Sequence, residues 1–152
     1  MNQKKHNNKG FSLVELIIVI AIMAVLVAVL APQYIKYVEN SRVAKDENAV
    51  AEAIHATQVA LADETVYTNL AVPTITSPAT EAVANTVTIT DATAISSTCT
   101  GLAAEVQSAV GNSIDFTSKT HSAASSDTYT INIMYTSDGN YYVQEYSVSN
   151  WG

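Results

Sequence analysis

Residues 11–31 read FSLVELIIVIAIMAVLVAVLA, an apolar run broken only by Ser12 and Glu15. A small soluble core cannot cover such a segment on every face. As a helix it spans about 31 Å at ~1.5 Å per residue, the hydrocarbon thickness of a bilayer, and the run therefore predicts a membrane span. Lys4, Lys5 and Lys9 precede it, so the positive-inside rule predicts an N-in, C-out single pass. A secretory signal peptide shares the basic start and the small residues at Val29, Leu30 and Ala31. Three features oppose it: the run exceeds the usual apolar region, Glu15 interrupts it, and Pro32 would follow the cut.

The span takes a large share of 152 residues, which leaves a globular part of roughly 85 to 90 residues. Net charge is −7, and the three leading lysines are three of only seven basic residues. Without them four basic side chains face fourteen acidic ones, and past Lys45 the only cation is Lys119. So acidic a domain repels phosphates, so neither nucleic acid nor anionic lipid is an expected partner of the globular part. Cys99 is the sole cysteine, which excludes an intrachain disulfide and a cysteine-based zinc site. Its expected role is as a small packing residue.

Glu15 is the informative position, because a carboxylate in an apolar span costs roughly 2.5–3.5 kcal/mol on insertion scales. Two readings offset that cost. Either Glu15 reaches the interface from the first helical turn, where the dipole favours an anion, or it meets a cation from another chain. Spacing alone does not choose between them.

The segment KGFSLVELIIVIAIMAVLVAVLAPQY, residues 9–34, resembles the class III signal segment of type IV prepilins and pseudopilins. The elements that carry the resemblance are a short basic leader, Gly10 before Phe11, Glu15 four residues on, and about twenty apolar residues. It covers about a quarter of the chain well, and runs less specifically through the helix to residue 62. The resemblance implies cleavage between Gly10 and Phe11 by a membrane prepilin peptidase, and N-methylation of the new Phe11 amine. It also implies that Glu15 pairs with the Phe11 amine of a neighbouring subunit, so that the cut creates the charge Glu15 needs. A residue without a side chain at Gly10 suits close approach by a protease. Pro32 removes a helix hydrogen bond and clashes with the carbonyl of Ala28, which predicts a kink or a locally unwound stretch. Many pilins have glycine where this chain has Ala24, so the unwinding implied by the family is expected to be shorter here or absent.

Beyond Pro32, Val43, Val50, Ile54, Thr57 and Leu61 repeat at helical spacing, with Ile35 and Val38 starting a similar stripe. Residues 11–63 are therefore expected to form one helix, with Tyr34 and Tyr37 at the membrane interface. His55 reads as a half-buried polar residue of that helix, and His121 as a residue of a serine-rich loop with no partner in view. From Thr65 the composition turns to Thr, Ser, Val and Ala. Residues 86–90 and 128–136 alternate as strands, Pro73 and Pro78 punctuate a loop, and residues 101–110 suit a short helix. Residues 112–127 read as loop with weak strand signal near Ile114 and Phe116. Residues 129–135 and 141–148, joined by Ser137, Asp138, Gly139 and Asn140, read as a β-hairpin. Its Tyr129, Ile131, Ile133 and Tyr135 share the face that should lie on the helix.

No phosphate loop, nucleophile elbow or metal-ligand spacing appears, so neither catalytic residues nor a cofactor is expected. Asp127 and Asp138 lack the spacing of an EF-hand calcium loop. The expected fold is α+β, a long helix packed by a small antiparallel sheet. The expected division is a leader at 1–10, a membrane or filament-core helix at 11–31, its amphipathic continuation at 32–63 and a β-rich headgroup at 64–152. The resemblance implies a helical homopolymer of this subunit, assembled by a platform and a motor ATPase, stored in the membrane and then displayed in an extracellular filament serving adhesion or motility. A secretion or DNA-uptake pseudopilin is the alternative within the family. A single-pass anchored binding domain that never polymerises is the alternative outside it.

Overall fold

The fold is described from a computed structural model, for residues 10–76, 79–90, 93–119, 121 and 128–149, with the backbone alone at 145–149. The leader residues 1–9, Pro78 and Asp127 lie outside the described residues. The chain divides between Val38 and Glu39 into two units, joined by one continuous helix.

That helix, α1, runs from Leu13 to Ala60, 48 residues or about 72 Å. It is helical on both sides of Pro32, without an unwound stretch, although the proline cannot donate to the carbonyl of Ala28. In the first unit its apolar side chains are exposed all round: Leu13, Leu16, Ile20, Met23, Leu26 and Leu30 are each more than half accessible. Among the described residues, this is the helix long and apolar enough to cross a membrane. In the second unit one stripe is covered. Asp46, Val50, Ala53, Thr57 and Ala60 are buried and Val43 partly so, at spacings of three and four. The helix stops three residues short of the expected Asp63. Its end tightens through Ala62 and Asp63 amides donating to Val59 and Ala60 carbonyls, three residues back. Asp63 then accepts the Thr65 amide at 2.7 Å and caps a short helix, α2, over Glu64–Tyr67.

Strands β1 (Glu81–Thr90), β2 (Ser96–Ser97), β3 (Thr128–Thr136) and β4 (Tyr141–Ser149) form an antiparallel sheet in the order β2-β1-β3-β4. A second helix of the headgroup, α3, spans Leu102–Val110 between β2 and β3. Glycines flank it at 101 and 111, both with positive φ. Strand β1 begins five residues before the alternating Thr-rich stretch, and a bulge between Val83 and Asn85 resets its register against β3. Ile114 and Phe116 are buried without joining a strand. Val87, Ile89, Tyr129, Ile131 and Ile133 share one core with Val50, Ala53 and Ala60 of α1 and with Leu102 and Val106 of α3. Tyr129, Ile131 and Ile133 of the expected face thus do lie in the core with α1, while Tyr135 is only half-buried, and the expected α+β arrangement is the observed one.

The hairpin turn is closed by the Thr136 amide on the Asn140 carbonyl at 2.9 Å and the Gly139 amide on the Thr136 carbonyl at 3.0 Å. Gly139 sits at φ +85°, where an L side chain is strained. An added Cβ would meet nothing closer than the Tyr135 hydroxyl at 3.8 Å, so only the backbone conformation resists substitution. Gly139→Ala is therefore expected to lose about 1 kcal/mol in denaturant unfolding, with Gly139→Asn losing less.

Candidate functional site

The N-terminal junction is built by the first turn of α1. Ser12 is its N-cap: the Ser12 Oγ accepts the Val14 amide at 3.3 Å and the Ser12 carbonyl accepts the Leu16 amide at 3.3 Å. Glu15 reaches back, and its Oε2 accepts the Ser12 amide at 3.0 Å. This is a reciprocal capping box, Ser-x-x-Glu, which satisfies two helix-end donors at once. The sequence reading treated Ser12 only as an interruption of the apolar run. Its spacing to Glu15 is the signal that could have found the box.

Gly10 is exposed and a Cβ there would touch nothing within 4 Å, while Phe11 is 88% accessible. Gly10 and Phe11 are thus both open to solvent. Glu15 is held by its own chain at the amide of Ser12, the residue after Phe11. Pro32, Tyr34 and Tyr37 lie further along the same helix, and both tyrosines are exposed.

A second polar constellation, which the sequence reading did not foresee, lies where α1 enters the second unit. Asp46 is only 1% accessible. Its carboxylate accepts the Thr117 amide at 3.0 Å, the Thr117 hydroxyl at 3.2 Å and the Ser118 amide at 2.8 Å. Burial pushes the Asp46 carboxyl up. The Ser118 hydroxyl, the two amides and the Thr117 hydroxyl together outweigh it and hold the carboxyl below its ordinary range. About two turns of helix earlier, Glu39 Oε1 accepts the next amide, that of Lys119, while its Oε2 lies 3.7 Å from Arg42. Buried Ser118 accepts the His121 amide at 3.2 Å, and His121 Nδ1 lies 3.1 Å from the hydroxyl of buried Tyr129 on β3.

These contacts revise two expectations. His121 has a partner and is fully buried, because the loop that carries it is pulled onto α1. His55, by contrast, is exposed rather than half-buried, since it falls beside the covered stripe at Ala53 and Thr57. Cys99 is buried in the core at 4% accessibility, and that burial raises its thiol pKa, as fits a packing residue. Among the described residues no three His, Cys, Asp or Glu side chains gather to hold a metal ion.

Known proteins share features of the N-terminal segment. The model of the Prokaryotic N-terminal methylation motif matches residues 5–31. A protein of Clostridium perfringens named "Prepilin peptidase-dependent protein A" is 37% identical over 78 residues, half of this chain. The matched stretch covers 55% of that relative, so the chain spans about half the length of the curated protein it matches. No solved structure matches the chain. The motif and the relative support a prepilin-like protein, and its apolar N-terminal helix fits a membrane-anchored one.

Proposed function

We propose that this prepilin-like protein is the structural subunit of a type IV pilus, cut after Gly10 by prepilin peptidase and methylated on Phe11. The observation that carries the reading is the pairing of an open Gly10–Phe11 bond with a carboxylate already held at it by Ser12. The relative's name states dependence on prepilin peptidase, and the same dependence is proposed here.

Before the cut, Glu15 is partnered by a backbone amide and needs no cation. The cut adds one, at the residue before that amide. In a filament, the Phe11 amine of a neighbouring copy then completes the Glu15 carboxylate, and the exposed apolar faces of residues 13–31 pack against one another away from lipid. Apolar packing holds the filament, since the half-helix that lipid covers in the membrane must be covered by neighbouring copies outside it. Charge pairing sets register, because a misplaced neighbour leaves a carboxylate unpaired in a low-dielectric interior. Residues 64–152 form the exposed acidic headgroup, and extraction from the membrane falls to an assembly platform and motor ATPase.

N-terminal sequencing and intact mass of material sheared from the cell surface test this reading. The wild-type chain is expected to begin at N-methylated Phe11, and Gly10→Val to stay uncut in the membrane. A wild-type chain that keeps its leader and never reaches the sheared fraction would leave an anchored, non-polymerising binding domain as the better account.

A further inference from the structure

The hydrogen bonds that tie α1 to distant parts of the second unit are not spread along the helix. Among the described residues they sit in its first turns there, at Glu39 and Asp46, and engage three consecutive amides, Thr117, Ser118 and Lys119. Further on, Val50, Ala53, Thr57 and Ala60 are held by burial, and the Thr57 hydroxyl bonds only its own helix, at the Ala53 carbonyl. Two kinds of attachment therefore follow one another along one helix. Hydrogen bonds weaken steeply with distance and angle, so they resist the first small displacement stiffly. Apolar burial is non-directional and yields gradually.

From this order we infer that Glu39 and Asp46 form a mechanical clamp, which takes the load first when the N-terminal half of α1 is pulled against the headgroup. Any tension in residues 13–38 enters the second unit through Glu39, the residue at the unit boundary. To peel α1 away, it must break the Lys119 contact and then the buried Asp46 contacts before it reaches the fully buried apolar residues from Val50 onward. From the clamp the path continues through Ser118 to His121 and Tyr129, into the central strand β3. A load on the helix is thus delivered to the middle of the sheet and not to an edge.

The inference rests on the reading above only in supposing that the apolar half-helix is the gripped part. Its test needs no filament. The full chain, with Cys99→Ala as background and handles at Lys36→Cys and Asp138→Cys, is held at constant load in tweezers, and the lifetime of the first opening step is read. Asp46→Asn keeps one acceptor oxygen and sets an NH2 against a donor where the other was, and is expected to shorten that lifetime about ten-fold. Val50→Ala, which thins the apolar stripe, is expected to lower the denaturant midpoint without a matching loss in the first step. Equal losses per unit of denaturant stability in Asp46→Asn and Val50→Ala would overturn the clamp. Glu39→Ala removes only the outer arm and spares the core. It is expected to shorten the same step by a smaller factor, and an unchanged lifetime in that variant overturns the inference even if Asp46→Asn does not fold. Failure of the pilus reading shows separately, as an uncut chain.

Discussion

Glu15→Ala is expected to be cut and methylated at Phe11 like the wild type, yet to be missing from sheared filaments, a fall of roughly two orders of magnitude or more. The size follows from what each copy loses. In the assembled interior the Phe11 amine would be left as an uncompensated charge, and breaking one side of a buried pair costs about 3–5 kcal/mol. That alone is a factor above a hundred per contact. Glu15→Gln separates the two jobs of this side chain. Its amide oxygen can still accept the Ser12 amide, so the capping box of the single copy survives, while the charge does not. Glu15→Gln should therefore match wild type in processing and in the order of the first turn, and match Glu15→Ala in assembly. Immunoblots of membrane and sheared fractions, with intact mass for the cut, read both outcomes. Assembly of Glu15→Gln at wild-type level would show that the carboxylate serves the helix end and not a neighbour.

The second large effect falls on stability. Asp46→Ala leaves the buried Ser118 amide and the part-buried Thr117 amide without their acceptor, and should cost about 2 kcal/mol or more of unfolding free energy. Its pH dependence has a definite sign. The Asp46 carboxyl is held below its ordinary range in the folded chain, so its contribution is fully present above the unfolded carboxylate pKa of about 3.9. That contribution is lost as pH falls through the depressed folded value. The gap between wild type and Asp46→Asn in denaturant midpoint should thus be widest near neutrality and close below pH ~4. A gap that stays constant from pH 7 to pH 3 would mean that shape, and not the ionised carboxylate, holds the loop.

Asp46 also shows where sequence stops being legible. The apolar span, the hairpin and the amphipathic stripe could be read directly, because each repeats a period along the chain: an unbroken run, alternation by two, spacings of three and four. Asp46 occupies a stripe position between Val43 and Val50, but a buried acid is rare without a partner and its partners lie 71 and 72 residues away. Nothing local announces them. The same holds for His121, whose burial follows from the loop being drawn onto the helix. Strand β2 is two residues long, too short to carry a period, and strand order depends on pairings across long loops. At the N-terminus the loss was of another kind. Gly10, Phe11 and Glu15 stand out, and the Ser12 cap is legible as well, from its three-residue spacing to Glu15, although inside the apolar run it reads first as an interruption.

The distance in sequence between Asp46 and its donors sets a schedule for synthesis. A ribosome adds roughly 5–20 residues per second, so about 4–15 s separate the emergence of Asp46 from that of Ser118. During that interval α1 can already be helical, since its bonds are local, but Val50, Ala53, Thr57 and Ala60 have no sheet to cover them. Strand β3, the centre of that sheet, arrives later still. The newborn chain therefore waits with an uncovered apolar stripe, and its headgroup closes late, once β3 and β4 have been made.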